Sequence, residues 1–325
     1  MRILSGIQPT GSIHIGAYIG AISQWKELQE IGECLFFIAD LHALTTPRDP
    51  KTYQKEVLQT AIEVLAAGLN PEKCIIFVQS QIKEHTELTW IFNTLTPIGE
   101  LMRMTQFKEK SRQFKTNINA GLLDYPVLQA ADILLYQTDS VPVGQDQAQH
   151  LELTKTIARK FNQKYGQTFK VPEALLLETG AKIMALNDPK KKMSKSIPAS
   201  CLYLFDEPKV IRKKIMSAVT DPGKTITYNP AKKPGITNLL AIYSLFSSKP
   251  IYQIEKKFSK KGYAEFKKSL VDLLILKLEP FRRKKKELLS REVYVKEILT
   301  QGRKRAQIIA QSTMADVRKK MGLFS

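Results

Sequence analysis

Little in this sequence answers to metal or redox chemistry. Its three cysteines, Cys34, Cys74 and Cys201, stand singly with no Cys-x-x-Cys pair, and its four histidines are scattered. A structural zinc site and a disulfide framework are therefore not expected. No apolar run approaches the roughly 20 residues that cross a bilayer, and the opening MRILSGIQPT loses its apolar character too soon for a secretory signal. The chain is expected in the cytoplasm. No Ser/His/Asp or Cys/His arrangement for covalent catalysis stands out, and there is no internal repeat. Acidic residues are scarce as well: 31 against 50 lysines and arginines leave a net charge of +19. Such a balance favours a polyanionic partner, nucleic acid before a membrane surface.

With 325 residues, 43% of them hydrophobic, the chain can fill the cores of two units. Up to about residue 186, short apolar runs alternate with helical patterns, the mark of parallel strands joined by crossover helices. Strands are expected near 2–7, 34–40, 74–79, 140–143 and 181–186. One helix is spaced by Ile19, Ile22, Trp25 and Leu28 and stops at Gly32; the next carries Val57, Ala61, Ile62 and Leu65 and stops at Gly68. The fold class is α/β, a doubly wound parallel sheet with ligands at the strands' carboxyl ends, followed by a helical domain. Pro189 and Pro198 bracket a lysine loop, after which amphipathic helices take over. The basic clusters at 282–286 and 303–305 are expected as solvated helix faces.

Two distant segments offer complementary halves of a nucleotide site. GIQPTGSIHIGAYIG at 6–20 sets a Gly/Pro/Thr/Ser turn between an apolar run and a helix, a geometry that points backbone N–H groups at phosphate. KKKMSKS at 190–196 offers positive charge in a loop. Between them, DYPVLQAADILLYQ reads as a helix capped by Asp124 with Tyr125 and Pro126 in its first turn. Steps of three and four put Tyr125, Gln129, Asp132 and Tyr136 on one face. Asp132 in so apolar a helix demands a partner or a solvated cavity. In VGQDQAQHLELT, Gly144 turns the chain, and Gln145, Asp146 and Gln147 begin another helix.

TGSIHIG and KMSKS resemble the paired HIGH and KMSKS signatures of class I aminoacyl-tRNA synthetases. PTGSIHIGAY is similar to the form found in the bacterial tryptophanyl-tRNA synthetases, and the likeness extends through AADILLYQ to GITNLLAIYS and GYAEFK, nearly the whole chain. It implies a Rossmann-like catalytic domain over 1–187, a KMSKS loop at 188–198, a helical tRNA anticodon-binding region at 199–293, and a terminal helix, 294–325, able to pack back on the catalytic domain. It further implies that L-tryptophan and ATP, with Mg2+, give tryptophanyl-adenylate and pyrophosphate, and that tRNA(Trp) then takes the tryptophanyl group. The family is homodimeric, with no DNA or membrane partner and no structural metal.

Residue roles also follow from the resemblance. Lys192, Lys195, Lys110 and His14 would meet the charge that gathers on departing pyrophosphate. Contacts to ATP fall to Gln8, Pro9, Thr10, His14, Gly16 and Ala17, to Gly144, Gln145 and Asp146, and to Ile183, Lys192, Met193, Ser194, Lys195 and Ser196. Asp132 would accept the indole N–H of tryptophan, with Gln147, Tyr125, Gln129, His42, Leu4 and Val143 around it. Three positions depart from the family pattern. Ala17 replaces a polar residue, commonly asparagine, so one ATP contact is missing or comes from elsewhere; Gln129 stands where methionine is frequent, and Leu4 where phenylalanine is. A tyrosyl-tRNA synthetase, an RNA-binding module that kept the fold, and a different nucleotidyltransferase with a HIGH-type turn are the rival readings.

Overall fold

Five apolar runs pair side by side in the computed structural model, which describes residues 1–113, 118–144, 147–176, 183–193 and 200–324. They are β1 (Arg2–Ile7), β2 (Glu33–Ile38), β3 (Cys74–Val78), β4 (Ser140–Val143) and β5 (Glu173–Leu176), all parallel, in the order β3-β2-β1-β4-β5. The order reverses beside β1, so the crevice between the carboxyl ends of β1 and β4 is where a ligand belongs. Both faces of the sheet are covered, which is why its strands read as unbroken apolar runs. Ile3, Cys34, Phe36 and Ile76 face one layer; Leu4, Leu35, Phe37 and Phe77 face the other.

Around the sheet run α1 (Ile15–Ala17), a π-helical turn at Tyr18–Ile22, α2 (Ser23–Leu28), α3 (Asp40–Ala43), α4 (Pro50–Ala66), α5 (Glu84–Asn93), α6 (Ile98–Met102), α7 (Thr105–Gln113), α8 (Ala120–Leu135) and α9 (Ala148–Tyr165). Beyond the lysine loop come α10 (Pro208–Met216), α11 (Pro234–Ser247), α12 (Ile251–Phe258), α13 (Tyr263–Leu289) and α14 (Glu292–Met321). Asp49 caps α4 by accepting the Lys51 N–H, Pro50 fills its first position, and Gly68, at φ +119°, supplies the left-handed residue after its end.

Three expectations need correction. The fifth strand is Glu173–Leu176, not 181–186: Ala174 pairs with Val141 of β4, while 183–186 joins the lysine loop through a bridge between Met184 and Lys192. Residues 181 and 182 lie outside the described residues. α8 begins at Ala120 with Asn119 as its cap, accepting from the Leu122 N–H at 3.0 Å, so Asp124 and Pro126 sit inside the helix; Asp124 accepts instead from Asn93. The helix read after the first turn is present, unbroken over 15–28, with a π-helical turn inside it. Two of the five basic residues at 282–286 are not solvated: Arg282 is buried against the Ile275 and Asp206 carbonyls, and Lys285 reaches Glu63.

α14 crosses the edge of the sheet. Its Val295, Ile298 and Leu299 join one core layer, and its Ala306, Ala310, Met314 and Val317 join the other. At the crossing, Gly302 lies so close to β3 that a Cβ there would come 1.8 Å from the Ile76 carbonyl oxygen. A backbone carbonyl cannot step aside as a side-chain tip would. Gly302→Ala is expected to cost about 3 kcal/mol and to lower the melting temperature by several degrees; an unchanged melting curve would contradict this contact.

Candidate active site

The HIGH turn is held by main-chain hydrogen bonds to the chain that follows the lysine loop. Ile15 N–H donates to the Leu202 carbonyl at 2.9 Å, Leu204 N–H donates to the Ile13 carbonyl at 2.8 Å, and His14 forms an antiparallel bridge with Tyr203. The chain just after the lysine loop is thereby clasped to the HIGH turn. From the other side, Met193 N–H donates to the Ile183 carbonyl at 3.1 Å, and Ile183 Cβ would stand 3.7 Å from a Cβ at Gly16. Gly16 thus neighbours Ile183, and the 183–184 stretch pairs in turn with Lys192 and Met193.

His14 caps α1 with its side chain: Nδ1 accepts from the Ala17 N–H at 3.1 Å. A ring that accepts at Nδ1 carries its proton on Nε2, an assignment made from the hydrogen bond, and Nε2 is the nitrogen able to donate to a phosphate oxygen. A Cβ at position 16 would press on this ring at 3.1–3.2 Å. Glycine there keeps the histidine in place and lets the backbone approach a phosphate closely.

On the opposite layer, Asp132 is a carboxylate almost wholly removed from water, with 1% of its surface exposed. Three donors hold it: His42 Nε2 at 2.7 Å on Oδ2, and Gln79 Nε2 at 2.8 Å and His85 Nδ1 at 2.6 Å on Oδ1. His85 Nε2 in turn meets the Tyr136 hydroxyl at 2.8 Å. Burial pushes the Asp132 carboxyl up, but the charges and hydrogen bonds of His42 and His85 outweigh it and bring the group down to about 2. A carboxylate offers about four acceptor sites, so three donors leave one for a ligand.

Nearby, Tyr125 Oη meets His150 Nε2 and Gln106 Oε1, both at 3.1 Å, His150 Nδ1 meets Gln147 Oε1 at 2.8 Å, and Gln129 Nε2 donates to the same oxygen at 3.5 Å. Leu4 and Val143 pack in the same core layer as α8. Tyr125, Gln129, Asp132, Gln147 and His42 therefore gather on one side of the sheet's carboxyl edge.

A family model for class I tRNA synthetases of the tryptophan and tyrosine group matches residues 1–278. The chain belongs to that family. It is 47% identical over 325 residues to a tryptophan–tRNA ligase of Caldanaerobacter subterraneus, covering 99% of this chain and 98% of that one, and 46% identical to a tryptophan–tRNA ligase of Helicobacter pylori, covering 99% of each. Among solved structures, a tryptophanyl-tRNA synthetase of Campylobacter jejuni complexed with ADP and tryptophan superposes with a TM-score of 0.88 at 37% identity, over 99% of this chain and 100% of that one. A tyrosyl-tRNA synthetase of Aeropyrum pernix superposes at 0.67 with 20% identity, over 92% of this chain and 89% of that one, a likeness of fold alone.

In this synthetase Gln8 and Gly144 are exposed, Thr10 is half-buried and Pro9 is buried, around the carboxyl ends of β1 and β4. Ala17 offers its N–H to His14 and no polar side chain. Gln145, Asp146, Ser194, Lys195, Ser196 and the side chain of Lys110 lie outside the described residues. Among the described residues no cluster of His, Cys, Asp or Glu could hold a metal ion, and no helix is long and apolar enough to cross a membrane. Sequence reasoning missed Gln79 and His85, which face Asp132 from β3's end and from α5. The helical spacing of His85 from Ile82, Leu88 and Phe92, which puts it on the apolar face of α5, was the available signal for the second.

A carboxyl held below its unfolded value, about 3.9, stabilises the fold above that pH and loses its contribution as pH falls toward the folded value. Asp132→Asn should lower stability by about 2 kcal/mol at pH 7, and the gap to the wild type should close as pH falls from 4 to 2. Paired denaturant titrations across that range check it; a gap that stays constant down to pH 2 would contradict an ionised Asp132.

Proposed function

We propose that the chain is a tryptophan–tRNA ligase. The tryptophan carboxylate attacks the α-phosphorus of ATP, forming a new P–O bond as pyrophosphate leaves; the terminal ribose of tRNA(Trp) then attacks the carbonyl carbon, and AMP leaves. No side chain becomes covalently attached, so the protein acts by positioning and by placing charge. The observation that carries this reading is the placement of the HIGH turn, clasped by its main chain to the residues after the lysine loop, beside Ile183, which in turn bonds Met193 at the start of the KMSKS segment.

In this reading Gln8, Thr10, His14, Gly16 and Gly144 border the nucleotide, Ile183 packs near its base, and Lys192 and Lys195, with Lys110, meet the charge on pyrophosphate. Mg2+ arrives with ATP, held by the phosphates, as is usual for this ion. Asp132 uses its remaining acceptor site for the indole N–H. A hydrogen bond to a charged group contributes roughly 1.5–3 kcal/mol, which penalises isosteres that lack the donor. Tyrosine carries a donor too, so its exclusion rests on the ring volume left by Leu4, Gln129 and Val143.

The tRNA is read by the helical region. Its charge is supported by the exposed Arg283, Lys284, Lys286, Lys304 and Arg305 on α13 and α14. A homodimer is supported by the exposed Leu44, Trp90, Ile98, Met102 and Ile118, of which Leu44 lines a cavity of about 270 Å³ between α3, α5 and α8. Patches of large apolar side chains on a surface mark partner sites. We place the enzyme in the cytoplasm, with tRNA and ATP.

Pyrophosphate exchange measured with each of the twenty amino acids should respond to tryptophan alone. Lys195→Ala should slow it by about 10²–10³ while tryptophan affinity changes little, because the charge it meets appears chiefly in the transition state. Exchange driven by tyrosine and not tryptophan would overturn the reading.

A further inference from the structure

Glu63 is a buried carboxylate beside the nucleotide turn that the proposed chemistry leaves without a role. It lies on α4 with 1% of its surface exposed and collects four donors from three parts of the chain. Ser12 Oγ and Lys285 Nζ donate to Oε1 at 2.7 and 2.8 Å, Gln59 Nε2 donates to the same oxygen at 3.1 Å, and the Ile13 N–H donates to Oε2 at 2.8 Å. Ser12 and Ile13 are the two residues before His14 in the HIGH turn. Lys285 comes from α13, 222 residues away in sequence.

The same stretch of α13 touches the turn's surroundings three more times. Phe281 stands edge-on to Tyr18 at 5.2 Å, Arg282 donates to the Asp206 carbonyl at 3.2 Å, and the Lys285 ammonium sits 4.7 Å from the Phe205 ring centre. Pro280, inside α13, has no N–H to offer the preceding turn, and Arg282 folds back onto the Ile275 carbonyl at 2.7 Å. Phe281 and Lys285, four residues apart, share a helix face. That face is turned toward the HIGH turn and the chain that clasps it.

We infer that Glu63 is a positioning residue for ATP, fixing the HIGH turn through Ser12 and the Ile13 N–H, and that Lys285 of the helical region sets it by neutralising its charge. The inference rests on the functional reading above. Physically, a carboxylate taken out of water stays ionised only while its cation is present. With Lys285 in place, Glu63 is a full acceptor for both turn donors. Without it, Glu63 takes up a proton or draws in water, and one of the two donors is lost. The Ile13 carbonyl receives Leu204 N–H, so a shift at Ile13 moves the clasp, Gly16 and the His14 cap together. Asp132 sits in the other core layer and shares no partner with Glu63. The tryptophan pocket should therefore stay as it is.

The test is steady-state pyrophosphate exchange by the full chain, varying ATP and tryptophan separately, together with tryptophan binding and melting temperature. Lys285→Met should lower kcat/KM for ATP at least tenfold, leave the tryptophan Kd within about twofold, and be rescued by Lys285→Arg. Should Lys285→Met unfold, the double variant Glu63→Gln with Lys285→Met buries no lone charge, and in it the ATP-specific loss should persist. Equal losses toward ATP and tryptophan, or wild-type ATP dependence in an active variant, would overturn the positioning role. An unmodified chain with no tryptophan-dependent exchange would instead overturn the functional reading on which it rests.

Discussion

A carboxylate taken out of water calls for donors, and in this synthetase Glu63 on one face of the sheet and Asp132 on the other are the two that gather them most fully among the described residues. Glu63 gathers Ser12, Ile13, Gln59 and Lys285 on one side; Asp132 gathers His42, Gln79 and His85 on the other. Each set is drawn from elements distant in sequence, so each carboxylate fixes loops that no local propensity would hold. The first set orients the HIGH turn, and the second ties α8 to α3, α5 and the end of β3. Between them lies the crevice at the carboxyl ends of β1 and β4, where the strand order reverses. Nucleotide and amino acid can then approach from the two layers and meet at the sheet's edge.

The helices beyond the lysine loop are part of this arrangement. α14 wraps the edge strand and contributes to both core layers, and Arg318 near its end pairs with Glu87 of α5. α13 delivers Phe281, Arg282 and Lys285 to the surroundings of the HIGH turn. The helical region, with its exposed basic residues, is thus packed directly on the surroundings of the HIGH turn. The +19 charge is spent in two ways: some cations face solvent, and a few are drawn into the structure to balance carboxylates.

Much of the fold was legible because buried parallel strands and amphipathic helices leave strong periodic signals. The strands at 2–7 and 140–143 stand where the apolar runs put them, and the helix stopping at Gly68 follows its pattern closely. The fifth strand was misplaced because two neighbouring apolar runs compete for β4, and only pairing across the sheet selects 173–176 over 181–186. Asp124 and Pro126 look like a helix start in isolation, yet Asn119 caps the helix a turn earlier. Within the site, Asp132 was found because an acidic residue interrupts an apolar helix. Glu63, between Ile62 and Val64, gave the same signal unheeded. Its partner Lys285, like His85 and Gln79 for Asp132, comes from elsewhere in the chain, and no local pattern announces such a pairing.

The claim that two buried carboxylates frame one site is tested most directly by a crystal structure of the enzyme with tryptophan and a non-hydrolysable ATP analogue. The indole nitrogen should lie about 3 Å from an Asp132 oxygen, with the phosphates between the Gly16 backbone and Lys192 and with Glu63 still bonded to Ser12 and Ile13. An indole ring lodged away from Asp132, or phosphates remote from the HIGH turn, would contradict it.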